Sequence, residues 1–210
     1  MLNNHFYHAS IRRTIAAFGS LFNDIKVIRK DSAGEVKQIT RVPLAYGPRQ
    51  KFLARLEEQS NLNDPKVAIK LPRMSFEITS LTYDNTSKLN KMNRMSKPII
   101  GDPDNKSVVY TSAPYRMGIQ LSIMAKNQDD ALQVIEQIMP YFQPEYTITI
   151  NEVPELGIKG DVPIVLTGVT LSDDYTGDFM TRRAIVYSLD FDLRVRFYGP
   201  VSTHAIIKTA

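Results

Sequence analysis

From Ile185 to Phe197 every second residue is apolar: Ile185, Tyr187, Leu189, Phe191, Leu193, Val195 and Phe197. That period predicts a strand with one buried face. At about 3.3 Å per residue it would run roughly 40 Å, against about 17–20 Å for common strands. Such a strand must bend, or project and find cover on another chain. A second clear pattern spans Met117 to Ile150 and predicts strand, helix, strand. Ile119, Leu121 and Ile123 alternate with Gln120, Ser122 and Met124. Asn127 then stands at an N-cap position, with Asp129 and Asp130 at the positive end of the helix dipole. Ala131, Ile135, Ile138 and Phe142 mark one apolar stripe, which Leu132 and Met139 widen; Glu136 and Gln137 face water. Pro140 lacks an amide hydrogen, so the helix kinks or stops near it. After Pro144 alternation resumes at Tyr146, Ile148 and Ile150.

The remaining pattern is weaker. Ile11, Ile15, Phe18 and Phe22 predict an amphipathic helix over 10–22, capped by Ser10, with Arg12 and Arg13 off its apolar stripe. Residues 24–30 and 35–44 predict a hairpin around Asp31-Ser32-Ala33-Gly34, and Pro43 ends its second strand or places it at a sheet edge. Pro48 opens a second helix, 48–59, with Phe52, Leu53 and Leu56 inward. A loop over 60–65 precedes two extended segments, 66–71 and 74–83. Residues 86–105 hold few large apolar side chains and four cations, Lys88, Lys91, Arg94 and Lys97, then the turn Gly101-Asp102-Pro103-Asp104. This stretch reads as a long loop or arm: a contact arm or a solvated loop, since long loops in compact domains are usually functional or disordered. Residues 161–171 are β-prone, with Gly168 marking a bulge or a close backbone approach. A polar connection over 172–181 and a frayed or exchanged tail over 204–210 complete the chain. The elements predict one α+β domain over 1–210, a mixed and mainly antiparallel sheet flanked by helices.

Composition narrows the chemistry. The 210 residues include no cysteine, which excludes disulfides and thiolate metal sites. A formal charge of +4 is too small an excess to argue for nucleic acid. No run approaches the roughly 18 apolar residues of a membrane span, and the first residues lack the apolar region of a secretory leader, so no membrane partner is expected. The three histidines, His5, His8 and His204, lie near the ends and make no convincing metal set. Asp102, Asp104 and Asn105 lack the glycine and the final carboxylate of a calcium loop, Ala113 standing at the twelfth position, and read as a turn. Asp173, Asp174 and Asp178 could pair for magnesium-dependent phosphoryl chemistry, or form a solvated turn between strands. The 86–97 stretch has no aromatic residue to stack on bases. Neither a phosphate loop nor a nucleophile elbow occurs. No catalytic residue, cofactor or metal site is therefore assigned; a metal-dependent nuclease and a non-specific nucleic-acid-binding module are the alternatives to a structural role.

The polar side of the 185–197 strand carries more information. Asp190 and Asp192 are followed by Arg194 and Arg196, which splits one surface into a negative and a positive half. Such a surface suits pairing between copies of the chain, and these four residues are the candidate subunit interface. The same charges would also keep an exposed sheet face soluble.

The run Ile135-Glu136-Gln137-Ile138-Met139-Pro140-Tyr141-Phe142-Gln143-Pro144, preceded by Leu121-Ser122-Ile123 and Asp129-Asp130, resembles the tail sheath stabiliser and completion proteins of T4-like contractile-tailed phages. Further matches are Phe6-Tyr7 with Ile11-Arg12-Arg13, Gly19-x-Leu21-Phe22, Arg41-Val42-Pro43-Leu44-Ala45-Tyr46, Leu71-Pro72-Arg73 and Arg182-Arg183. Their order holds over residues 5 to 198. The resemblance implies a tail-terminator-like fold and a structural role in the virion, with no catalytic residues to transfer. Proteins of this kind form a hexameric ring that caps the tail, stops tube and sheath polymerisation, holds the extended sheath and joins the neck. The partners implied are further copies of the chain, the tail sheath protein, the tube or its capping protein, and a neck or head-completion protein. DNA would pass through the ring without specific recognition. The location implied is the head-proximal end of the tail, after assembly in the host cytoplasm. Larger relatives continue past the last strand, which puts any role of such an extension in doubt for this chain. A long strand and a basic arm, Lys88, Lys91, Arg94 and Lys97, suit the task through sheet-edge addition and charge complementarity, the arm being the candidate contact to tube or sheath.

Overall fold

The computed structural model describes residues 5–32, 34–57, 71–173 and 185–206. In chain order the elements are α1 (Ser10–Leu21), β1 (Lys26–Lys30), β2 (Val36–Arg41), β3 (Leu44–Tyr46), α2 (Arg49–Glu57), β4 (Arg73–Tyr83), β5 (Arg94–Ile99) and β6 (Asp102–Tyr110). They continue with β7 (Ala113–Ala125), α3 (Gln128–Ile138), β8 (Glu145–Val153), β9 (Ile158–Asp173), β10 (Ile185–Phe197) and β11 (Ser202–Ala205). The frame is a six-stranded sheet in the order β3-β4-β7-β10-β9-β8. Among the described pairings only β3 with β4 is parallel. The architecture is therefore α+β with a mixed, mainly antiparallel sheet, as the hydrophobic pattern predicts.

The longest period-2 run is β10, and it lies in the middle of the sheet. It pairs with β7 from Ile185 to Phe197 and with β9 from Ile185 to Leu193. This corrects the expectation that so long a strand finds its cover on another chain. Its neighbours, of 13 and 16 residues, are as long as it is; β7 satisfies one edge throughout and β9 the other as far as Leu193. Opposite Asp190 and Phe191, β9 inserts Thr167 beside Gly168, so the expected bulge is present. Thr167 Oγ1 donates to Asp190 O at 2.9 Å.

One face of this sheet is covered by α1 and α3, with the β1–β2 hairpin packed against α3. Ile119, Leu121, Ile123, Leu189, Phe191 and Leu193 point there and are buried. Phe18 of α1 lies with ring centroids 5.3 Å from Phe191 and 5.4 Å from Phe76, an aromatic cluster that seats the helix. The helix is rotated slightly from the expected stripe: Thr14 is buried and Ile11 exposed, with Thr14 Oγ1 donating to Ser10 O. The N-cap position of α1 is Ala9, not Ser10. In α3, Ala131, Val134, Ile135 and Ile138 are buried, whereas Leu132 and Met139 are exposed. The stripe widens on the opposite side from that expected, because α3 packs on β1 as well as on the sheet. The helix stops at Ile138, and a 3₁₀ turn over Met139–Tyr141 accommodates Pro140.

Two further expectations need correction. The strand expected over 35–44 is two strands, since the chain passes from the hairpin into the main sheet at Pro43. Pro43 cannot donate, but its carbonyl accepts from Met74 N at 2.9 Å and starts the parallel β3–β4 pair. The stretch 86–105 is largely a hairpin rather than a loop, and Ser202–Ala205, reaching two residues into the expected tail, form β11, while 207–210 lie outside the described residues. Hairpin and β11 together make a three-stranded sheet, β11-β6-β5. Residues 94–99 show no apolar alternation; they are a strand because β6 pairs with them, and Val109 of β6 closes a small core with Val153, Leu156 and Tyr198. On the other side of the main sheet α2 covers one end only, with Phe52 against Met124 and Val186. The loop expected at 60–65, all but Leu71 of the extended segment 66–71, and most of the connection 172–181 lie outside the described residues.

Candidate interaction faces

The half of the sheet that α2 leaves uncovered holds the four candidate interface residues, because alternation along β10 turns them all away from the core. Asp190 is half-buried and accepts a hydrogen bond from Gln120 Nε2 at 2.8 Å, so it is engaged within the chain. Asp192 lies opposite Gly118, where a Cβ would come 2.5 Å from Ser80 Oγ and 2.8 Å from Thr79 Oγ1. The β4 bulge at Thr79 sets both hydroxyls over that glycine, leaving no room for a side chain. Arg194 and Arg196 are exposed, and Arg194 stands directly opposite Arg116 of β7. Like charges facing each other across a pair cost free energy. Asp84 relieves this in part, its Oδ1 lying 3.6 Å from Arg116. Sequence reasoning missed Arg116, whose place is visible only once the β7–β10 register is known.

The four cations of 86–97 do not form one arm. Lys88 and Lys91 sit on the connection before β5 and line a cleft with Tyr83, Leu89 and Thr111. Arg94 and Lys97 belong to β5, and Lys97 Nζ donates to Leu156 O at 3.2 Å. Buried Asp84 fixes the start of the connection. Its carboxylate accepts from Thr86 Oγ1 at 2.6 Å, Ser87 Oγ at 2.8 Å and Thr86 N at 3.1 Å. The Thr86 and Ser87 hydroxyls, with Arg116 a lesser contributor, hold this carboxyl well below the usual range.

Two buried carboxylates went unrecognised in the sequence. Asp130 is not a plain dipole partner of α3: Arg29 grips it with Nε at 3.3 Å and NH2 at 2.5 Å, tying the hairpin to the helix. Gln133 and Gln137 extend that junction, Gln133 Oε1 accepting from Ile28 N and Gln137 Nε2 donating to Lys26 O. Glu152, the bulged residue of β8, is buried over Gly160, where a Cβ would lie 2.1 Å from its carboxyl carbon. Burial pushes its pKa up, against a hydrogen bond from Tyr198 and the charge of Arg196. Both acids find their partners far along the chain, which hides them from local pattern.

Among the described residues no three His, Asp or Glu side chains gather as a metal set. His8 Nε2 lies 2.8 Å from Gly199 O, and His204 Nε2 lies 3.0 Å from Ser202 Oγ. Asp102 accepts from Asn105 Nδ2 at 2.8 Å and Asp104 N at 3.1 Å, closing the turn expected there. The side chains of Asp173, Asp174 and Asp178 lie outside the described residues. No described helix is long and apolar enough to cross a membrane.

The features that stand out in this molecule are faces: a charge-split sheet surface, a basic connection and a small second sheet. The chain matches the family model of the T4-like virus Myoviridae tail sheath stabiliser over residues 5–210 and belongs to that family of structural proteins of contractile phage tails. Among relatives, it is 31% identical over 217 residues to tail completion protein gp15 of Enterobacteria phage T4. The match covers 98% of this chain and 76% of that protein.

Proposed function

We propose that this chain caps the head-proximal end of a contractile tail as a homo-oligomeric ring, a hexamer. The ring ends tube and sheath polymerisation, holds the sheath extended and joins the tail to the neck, without enzymatic activity. The observation that carries this reading is the charge-split face of the central sheet, which α2 covers at one end only among the described residues, on a chain of the sheath-stabiliser family. A polymer ends when its last layer matches the ring below and offers no copy of that surface above, which requires side contacts that close and two unlike ends. Asp192, Arg194 and Arg196, with Asp190 behind them, serve as the subunit contact. Lys88 and Lys91 reach tube or sheath, with Arg94 beside them. DNA passes through the opening unread, and assembly takes place in the host cytoplasm. The structural character of the family lends the nuclease alternative no support.

Electron microscopy of the purified protein, and of tails assembled with it, tests the proposal. Annular particles with an open centre are expected, seated at one end of the tail, and tails made without the chain should vary in length. Single-copy particles at every concentration, together with tails of unchanged length and stability in its absence, would overturn it. Reversing Lys88→Glu with Lys91→Glu should leave rings intact yet yield tails that fail to mature. These exposed sites are the better test of the contact, since removing all of 88–97 would also delete β5.

A further inference from the structure

A groove of about 470 Å³ opens between the end of α1 and the 3₁₀ turn after α3. Phe22, Ile25, Tyr141 and Phe142 line it with two carboxylates, Asp24 and Glu136, and no lysine or arginine. Tyr141 is 69% exposed. Asp24 shares its charge with Arg41 at 3.0 Å. Glu136 has no ion pair among the described residues.

The opposite end of α1 has the complementary chemistry. Phe6 and Tyr7 are 46% and 70% exposed. They are nonetheless held in place: His8 is bonded to Gly199 O, and the Phe6 ring packs with its centroid 5.5 Å from that of His8. No acid occurs before Asp24, whereas His5, His8, Arg12 and Arg13 all do. Arg13 is engaged with Asn151 O at 2.9 Å, and Arg12 is exposed. The 12 residues of α1 span about 18 Å at about 1.5 Å per residue, so the anchored aromatic pair cannot reach the groove of its own chain.

We propose that Phe6 and Tyr7 of one copy dock in the Phe22–Tyr141 groove of the next, with Arg12 brought towards Glu136. The occupant is a second copy of this chain, because donor and acceptor are both present, unlike in charge and set at opposite ends of one helix. That arrangement gives a head-to-tail contact, which closes into a ring when the rotation from one copy to the next divides a full turn. Two aromatic side chains leaving water supply the apolar part of the contact and the charges its direction. The inference rests on the ring reading and adds to the charge-split face a second contact that fixes order around the ring.

Two variants test it by sedimentation and native mass measurement, with thermal unfolding as the check on folding. One is blind as donor, Phe6→Ala with Tyr7→Ala; the other is blind as acceptor, Glu136→Arg with Tyr141→Ala. Each alone is expected to lose the ring. Mixed in equal amounts they should give dimers, since one intact donor then meets one intact groove, and no ring. Undiminished rings from the donor-blind chain, or single copies only in the mixture, would overturn the inference while leaving the ring reading in place. A native chain that stays a single copy both free and on tails would remove both. Where the alanine variant loses its fold, Arg12→Glu at its exposed helical site is read instead. It should weaken ring association at least tenfold, and unchanged association counts against the contact.

Discussion

On the helix-covered face of the six-stranded sheet, Met74, Met117, Leu121, Ile123, Leu189 and Leu193 are fully buried and fit one another. On the other face the same strands carry Glu77, Gln120, Asp190, Asp192, Arg194 and Arg116. There two arginines oppose each other, and the buried hydroxyls of Ser75 and Ser188 find no hydrogen-bond partner among the described residues. The first surface answers to the fold alone: its hydrophobic contacts are mutually supporting and non-directional. The second carries an arrangement that the stability of a single chain does not ask for. Like charge opposed in register and only partly offset, by Asp84, is what a surface completed by another molecule would show.

The largest effect is expected where the covered face is densest. Phe191, 2% exposed, packs with ring centroids 5.1 Å from Phe142, 5.3 Å from Phe18 and 5.7 Å from Phe22. Phe191→Ala removes the ring that seats α1 on the sheet and should cost about 3–5 kcal/mol, read as a fall in the urea midpoint. A loss under about 1 kcal/mol would mean that this face is not the organising core.

Next comes the junction between hairpin and helix. Arg29→Ala strips a carboxylate with only 3% side-chain exposure of its partner and should cost about 1–3 kcal/mol. Arg29 is itself 40% exposed, which keeps the loss below that of a fully buried pair. Replacing both residues, Arg29→Met with Asp130→Leu, should recover most of it, because no charge is then left unpaired. A double variant as unstable as the single would show that packing, not charge, holds the hairpin.

Much of the covered face was legible in advance, and the reason is physical. Period-2 burial along β10 and β7 and the helical stripes of α1 and α3 are local signals. Features set by partners were not. Residues 94–99 are a strand only because β6 lies beside them, and the 202–205 tail only because Asn105 to Val108 are there to receive it. The direction in which α3's stripe widens depends on β1, about 100 residues earlier in the chain, as does the burial of Asp130. On the open face the alternation exposed Asp190, Asp192, Arg194 and Arg196 as one surface. Arg116 and the capture of Asp190 by Gln120 required the register.

Glu152 gives a smaller, pH-dependent effect. Burial raises its pKa, so between the ordinary carboxylate value and that higher one the folded chain holds a proton that the unfolded chain has released. Its contribution is full at pH below the unfolded value and is lost as pH rises through the folded one. Glu152→Gln should therefore flatten this part of the pH profile, seen as a higher melting temperature than the native chain at pH 8 and little difference near pH 4. A native profile without that slope would place the charge in water. Gly160→Ala, which drives a methyl into the same carboxyl, should lower the melting temperature at both pH values.

The smallest effect on folding belongs to the open face, and it separates the two faces most cleanly. Arg194→Glu turns a like pair with Arg116 into an opposite one, and cross-strand pairs of this kind are worth about 0.2–1 kcal/mol. Arg194 is exposed, so little packing is lost and the unfolding midpoint of the single chain should hold or rise slightly. Association should move the other way, because in the proposed ring the same change removes positive charge from the half of the surface that would meet acid on a neighbour. Denaturant unfolding and sedimentation on one preparation measure both quantities. Stability lost together with assembly would make this face a part of the fold, and the contrast between the faces would collapse. Stability kept while assembly fails would show that the arginines are arranged for a surface the chain meets only outside itself.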